Sequence, residues 1–197
     1  MRIFLIVAWL FVGLGGLIYH FGPGQQRIEM DRIDQVITKA RLSVQEKDWQ
    51  QAVENYDEAL SAIPSENKTQ IQKISLEKAK AQMMAKQLPD ARKSLATLLD
   101  DVRGNEDAEP EFVADVQATL ANSQYYMTWL MRLEGLPEEE WKPEIEAARQ
   151  HYTQLVNQAK ESGNADLLER SKEDLESSIR LARMDLSELQ GLPLPSQ

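Results

Sequence analysis

The sequence contains no cysteine and only two histidines, so the residue types that most often bind metals or act as nucleophiles are scarce. Disulfide bonds and thiolate metal sites are therefore excluded. His20 and His151 lack the His-x-x-x-His or Glu-x-x-His spacing that places two ligands on one helix face. Neither a Gly-x-Ser-x-Gly motif nor a Gly-x-x-x-x-Gly-Lys loop occurs. We therefore expect no catalytic residue, no metal and no cofactor, and we expect that the protein is not an enzyme.

Basic residues are outnumbered, with 22 Lys and Arg against 32 Asp and Glu and a net charge of −10 at neutral pH. An acidic surface repels phosphate backbones, so we expect no nucleic acid partner. Alternation with period two is also missing over any useful length, which argues against a sheet. With 42% hydrophobic residues, the composition is that of a folded protein, and we expect it to be all-α.

One long apolar run is present, at the N-terminus, where residues 3–21 carry no formal charge. As a helix this run spans about 28 Å, which matches the hydrocarbon core of a bilayer. We expect residues 1–21 to form a single transmembrane anchor in contact with lipid, followed by a hinge at residues 22–27. The alternative is a cleaved secretory signal, but large aromatic residues stand where a peptidase needs small ones. Arg2 before the run favours a cytoplasmic N-terminus.

Residues 47–64 form the most regular amphipathic segment of the chain. Their apolar residues recur at three- and four-residue steps, which predicts one buried helix face. Small alanines alternate there with large side chains, and a proline ends the helix. A preceding apolar face that includes Ala40 predicts a partner helix. The residues of the pattern are Trp49, Ala52, Tyr56, Ala59, Leu60 and Pro64.

This order of small and large residues resembles the tetratricopeptide repeat, a pair of antiparallel helices that pack through small residues. Ala91 and Leu95 follow Ala52 and Tyr56 by 39 positions each and indicate a second, degenerate repeat. A third, divergent pair ends near residue 162. The resemblance implies a TPR-like α-solenoid of about three helix pairs over residues 28–190.

The last predicted helix carries leucine or alanine at heptad spacing. This pattern favours a C-terminal capping helix that seals the solenoid, and a coiled-coil dimer is the alternative. Residues 191–197 are expected to form a non-helical tail. The heptad residues are Leu168, Leu175, Ala182 and Leu189.

In tetratricopeptide proteins the first helices of successive pairs line a groove that binds peptides or partner helices. The resemblance therefore implies a membrane-anchored scaffold or assembly factor that binds a protein, itself membrane-associated. The overall plan is similar to that of bacterial inner-membrane proteins with a periplasmic repeat domain. The alternative is a structural accessory subunit of a larger membrane complex. Lysines that could form a basic clamp for an acidic peptide are Lys39, Lys73, Lys78 and Lys80.

Aromatic and methionine residues are densest between positions 125 and 131. Tyr125 and Trp129 are four residues apart and share one helix face, whereas Leu130 belongs to a second face together with Val116. Two interpretations remain open. Tyr125, Trp129 and the later Trp141 are exposed anchors for a partner, or the turn before Trp141 folds back and makes all of them core.

Overall fold

The computed structural model describes residues 23–105 and 107–191, and every regular element in these ranges is an α-helix. The predicted all-α class is confirmed for this part of the chain. The predicted anchor lies outside it, and no helix within it combines the length and apolarity needed to cross a bilayer. In chain order the helices are α1 (Pro23–Gln45), α2 (Trp49–Ala62), α3 (Lys68–Met84), α4 (Leu88–Arg103), α5 (Pro110–Leu133), α6 (Glu138–Ser162), α7 (Ala165–Arg183) and α8 (Leu186–Gly191).

The chain divides into two compact units between Ile71 and Gln72. The first unit contains the α1–α2 hairpin, and the second contains α4 to α8 with most of α3. One helical domain over residues 28–190 stays a prediction. A helix hairpin with a short turn buries apolar residues between its own two helices, as Ala40 and Ala52 are buried in the first unit.

Helix α1 begins at Pro23, so the predicted hinge at residues 22–27 is helical from its second residue. Proline suits the first helical position because its fixed φ is already helical and the backbone N–H it lacks has no partner there. Gly24 costs about 1 kcal/mol relative to alanine in a helix. Spread over a helix of 23 residues, that cost does not break the element.

In the first unit, α1 and α2 pack through two fully buried alanines, Ala40 and Ala52. The connecting turn places Lys47 in the left-handed region at φ 60°, the conformation for which glycine is usual. Asp48 then caps α2, because its side chain accepts a hydrogen bond from the Gln51 backbone N–H at 3.2 Å. Both alanines are therefore inside the hairpin, where a small side chain allows close helix packing.

The α3–α4 hairpin repeats this arrangement 39 positions later. Ala79 and Ala91 are buried in the places of Ala40 and Ala52. Lys86 stands in the left-handed region at φ 63°, as Lys47 does. In both turns the next backbone N–H bonds to the carbonyl five residues earlier, at 2.9 Å. Two successive hairpins thus share one backbone geometry.

The α5–α6 hairpin also has buried small residues, but the stretch of chain between them is longer than in the first two hairpins. Ala121 and Ala148 are fully buried. Gly135 ends α5 at φ 75°, and α6 starts at Glu138 with Pro143 inside it. In all three hairpins a large buried residue follows the buried alanine by four positions. The pairs are Ala52 with Tyr56, Ala91 with Leu95, and Ala148 with Tyr152.

Two apolar clusters hold the second unit together. The first lies among α3, α4 and α5, and the second joins α5, α6, α7 and α8. Helix α5 contributes to both, which explains why so much of its surface is buried. Main residues of the first cluster are Leu76, Leu95, Leu99, Val116 and Leu120, and those of the second are Ala121, Trp129, Ile145, Tyr152, Leu181 and Leu189.

The predicted final helix is split. Helix α7 ends at Arg183, Met184 is extended at ψ 147°, and α8 starts at Leu186. The split has a local cause, because the Asp185 carboxylate accepts from the Glu188 backbone N–H at 2.8 Å and so starts a new helix. Gly191 belongs to α8 rather than to the predicted tail, whose remaining residues 192–197 lie outside the described residues.

Candidate functional site

Trp129 lies in the second cluster with 8% of its surface exposed. Tyr125 and Trp141 are half-buried and pack against the same cluster. The structure therefore brings the three predicted partner-binding residues together, as the core interpretation expects for Trp129. Only Tyr125 and Trp141 retain surface that a partner could contact.

The second predicted face of α5 divides along its length. Val116 is buried in the cluster with α3 and α4, whereas Leu130 is 40% exposed. Leu130 was expected on the buried face with Val116. The difference arises because the cluster with α3 and α4 ends at Leu120 on α5, so the last turns of this face have no apolar cover there.

Arg132 joins the ends of three helices. Its guanidinium donates to the carbonyl oxygens of Leu181 and Met184 at the end of α7. It also lies over the Trp141 ring of α6, 4.8 Å from the centroid. A cation at this position satisfies carbonyls that have no partner within the helix and complements the negative end of the helix dipole. Trp141 is therefore held by packing and a cation–π contact.

The register of α5 and α7 follows from these contacts. Gln158 of α6 donates to the Pro110 carbonyl at 3.5 Å, and Gln117 donates to Gln154 at 3.0 Å, so α5 and α6 are antiparallel. The tight turn at Gly163 reverses the chain again, which makes α7 parallel to α5. Arg132 of α5 and Leu181 of α7 lie at the same level. Tyr125 and Asp174 each come seven residues, about two helical turns, earlier in these parallel helices, so we expect them at a common level as well.

Two adjacent tyrosines of α5, Tyr125 and Tyr126, are in ring contact at this level. The Tyr125 and Tyr126 rings are 5.6 Å apart at 82°. Burial raises the pKa of the Asp174 carboxyl, and the charge of Glu173 raises it further. Burial also raises the pKa of the Tyr126 hydroxyl, followed by the Asp174 charge.

Tyr152 approaches the same region from α6. Its hydroxyl donates to the Asn122 side-chain oxygen at 2.6 Å. Burial raises the Tyr152 pKa strongly, and the Asp174 charge adds to the effect. The hydroxyl therefore stays neutral and acts as a buried hydrogen-bond donor that positions α6 against α5.

The sequence matches no family model and no curated protein.

Two of the lysines proposed for a basic clamp, Lys73 and Lys80, pair with carboxylates of the second unit. In the second unit Lys80 is within 3.1 Å of Asp115 and 3.2 Å of Glu77, and Lys73 is 3.9 Å from Glu109. Burial lowers the Lys80 pKa, but the charges of Glu77 and Asp115 outweigh it and the net shift is upward. These lysines are engaged by neighbouring carboxylates rather than presented to an acidic ligand.

A second polar network lies where the end of α4 meets α5 and α6. Arg103 donates to the side-chain oxygens of Gln117 at 2.8 Å and Gln154 at 3.0 Å. Gln117 donates in turn to the His151 carbonyl at 3.0 Å. The buried Nδ1 of His151 has no hydrogen-bond partner among the described residues, and burial followed by the Arg103 charge lowers its pKa. His151 is half-buried.

We predict that acidification destabilises the second unit through His151. Its pKa is lowered in the folded state. The unfolded state, with a pKa of about 6.5, therefore binds the proton more readily. This contribution to stability is present above the unfolded pKa and is lost as the pH falls through and below it. His151→Gln should flatten the dependence of thermal unfolding temperature on pH between about 7 and 5.5.

His20→Gln, which changes the only other histidine, is the control and should leave the slope unchanged. Equal slopes for wild type and His151→Gln would contradict the prediction.

Sequence reasoning missed Asp174 and Arg132. Asp174 precedes Leu175 of the heptad, so a carboxylate at the edge of the buried stripe was visible in principle. Nothing in the sequence marked Arg132, because its acceptors are backbone carbonyls about fifty positions away. Within residues 23–105 and 107–191 no group of three or more His, Cys, Asp or Glu side chains is arranged to hold a metal ion.

Proposed function

We propose that the protein is a non-catalytic scaffold of the tetratricopeptide type, which is anchored in a membrane by residues 1–21 and binds a protein partner. The observation that carries the proposal is the repeated hairpin. Buried alanines at positions 40 and 52 recur at 79 and 91, and the left-handed lysine of the turn recurs at the same interval, from Lys47 to Lys86. Repetition of backbone geometry and of small helix contacts at one spacing is characteristic of repeat architectures that present binding surfaces.

Charged residues of the described surface pair with one another between helices and along them. Arg92 of α4 pairs with Glu144 of α6 at 2.6 Å, which connects two helices. Lys142 pairs with Glu138 at 2.7 Å within α6. They are arranged as helix–helix and i,i+4 contacts that stabilise the hairpins. The alternative is an accessory subunit. It differs from the scaffold in that the anchor itself, rather than the helical region, would make the assembly contacts.

An anchor exchange separates the two. Residues 1–21 would be replaced by an unrelated single-span segment, and both forms would be expressed in the source membrane, solubilised in a mild non-ionic detergent and analysed for stoichiometric partners. We expect the exchanged form to retain its partner, because the helical region makes the contact. Carbonate extraction should leave both forms in the membrane pellet.

Two results would count against the scaffold. Loss of the partner on anchor exchange, with the helical region still folded, would favour the accessory subunit. Migration of the wild-type protein alone, even after cross-linking in the membrane before solubilisation, would overturn both alternatives.

A further inference from the structure

Helix α5 extends well beyond the helix that lies beside its first half. At the start of α5, the Glu109 carboxylate lies 3.9 Å from the Nζ of Lys73 in α3. Further along, the Asp115 carboxylate lies 3.1 Å from the Nζ of Lys80, so the two helices are parallel. Helix α3 ends about one turn after Lys80, whereas α5 continues for about five turns after Asp115. About four turns of α5, or about 20 Å, therefore lie past the end of α3.

The face of α5 that α3 covers stays apolar past the end of α3. Val116 and Leu120 of this face are buried in the cluster with α3 and α4. Met127 follows Leu120 by about two turns and Leu130 follows Val116 by about four, so helix periodicity places both on the same face. Met127 is half-buried, and Leu130 is one of two exposed large apolar side chains among the described residues. We call Met127, Leu130 and the following Glu134 the open face of α5.

Glu134 gives the open face a charge without a partner. It follows Leu130 by one turn, is exposed, and its carboxylate pairs with no cation among the described residues. At the covered end of the same helix, Glu109 and Asp115 are each paired with a lysine of α3. Helix α3 therefore shows what fits beside α5: a parallel helix with an apolar face and lysines at its edge.

We propose that the open face of α5 binds one amphipathic helix of the partner protein, about four turns long, which continues the line of α3. Its apolar residues lie on Met127 and Leu130, and a lysine or arginine in its last turn pairs with Glu134. The net charge of −10 on the chain favours a basic helix over an acidic one. This inference rests on the proposed scaffold function and states which kind of segment the partner must present.

The test uses the full chain in a non-ionic detergent, with the methionine methyl groups labelled with carbon-13 and observed by NMR. Met127→Leu identifies the Met127 signal among those of the seven methionines. The probes are two synthetic helices of about four turns, stapled on their polar side, with leucines at three- and four-residue spacing. One has a lysine in its last turn, and the other has a glutamate there. We expect a saturable shift of the Met127 signal with the lysine helix and weaker binding of the glutamate helix.

A matched pair of variants tests the apolar contact. Leu130→Gln removes the exposed apolar side chain of the open face and should weaken binding of the lysine helix about tenfold. Leu42→Gln makes the same change at the other exposed leucine, in the first unit, and should leave binding unchanged. The detergent is the same for both variants, so partition of the probe into micelles does not affect the comparison.

A second pair tests the charge. Glu134→Lys should reverse the order of the probes, so that the glutamate helix binds more tightly than the lysine helix. Glu169→Lys makes the same change at an exposed position of α7 and should keep the wild-type order. Because Glu134 is exposed, this reversal tests the open face even if Leu130→Gln fails to fold.

The outcomes separate this inference from the scaffold proposal. An unshifted Met127 signal, equal binding by Leu130→Gln and Leu42→Gln, or an unreversed order in Glu134→Lys would overturn the helix-binding face even if a partner still co-purifies. A wild-type dimer that Leu130→Gln dissociates would overturn it in favour of a second copy of this chain. Retention of the native partner by Leu130→Gln, with binding of the lysine helix lost, would overturn the claim that the partner uses this face. Loss of both in that folded variant supports the inference.

Discussion

Replacing Trp129 by alanine should lower the free energy of unfolding of the second unit by about 3–5 kcal/mol, the range for a buried large aromatic side chain. Trp129 lies in the cluster that joins α5 to α6, α7 and α8. Its removal leaves a cavity among Ile145, Tyr152 and Leu181, which come from two other helices and cannot all move inward together. The loss should appear as a lower midpoint in chemical denaturation followed by far-ultraviolet circular dichroism.

The matched control is Trp129→Phe. The indole Nε1 is buried and has no hydrogen-bond partner among the described residues, so phenylalanine forfeits volume but no hydrogen bond. We therefore expect a clearly smaller loss than for alanine. Tyr125→Ser should also cost less, because Tyr125 is only half-buried. An unchanged midpoint for Trp129→Ala would mean that the side chain is exposed in solution and available to a partner.

Replacing Tyr56 by alanine should cost about 3–5 kcal/mol in the first unit. Tyr56 is 2% exposed and lies on the face of α2 that also carries Ala52 and Ala59. Trp49→Phe is the control, because Trp49 is half-buried at the start of α2 and loses little volume in that change. The thermal unfolding transitions of the two variants should therefore differ, with Tyr56→Ala the lower.

The same contact can be tested by enlarging a small residue. Ala52 is fully buried against α1, so Ala52→Trp forces the two helices apart and should cost about 1–3 kcal/mol or more. Ala62→Trp adds the same side chain at an exposed position near the end of α2 and should be nearly neutral. Equal stability of Ala52→Trp and Ala62→Trp would contradict the close helix contact and, with it, the repeat proposal for residues 33–64.

Much of the local structure could be predicted because its causes are local. Helix periodicity alone places Ala52, Tyr56 and Ala59 on one face, and all three are buried. The starts and ends of helices follow from proline, glycine and capping side chains within a few residues, as at Gly163 and Asn164. Where prediction failed locally, at Pro23 and Asp185, the competing signal was also local: a proline at the first turn begins a helix, and an aspartate can start a second helix inside a heptad pattern.

The tertiary structure decided which of two helix faces is covered, and by what. Tyr125 and Trp129 share a face in the sequence, but only the arrival of α6, α7 and α8 buries Trp129 and leaves Tyr125 at the rim. Periodicity specifies direction around one helix and carries no information about the partner helix that lies there. The same limit applies to Arg132 and Asp174, whose roles depend on the register between α5 and α7. That register is set by packing across two chain reversals, so it is absent from any local pattern of residues.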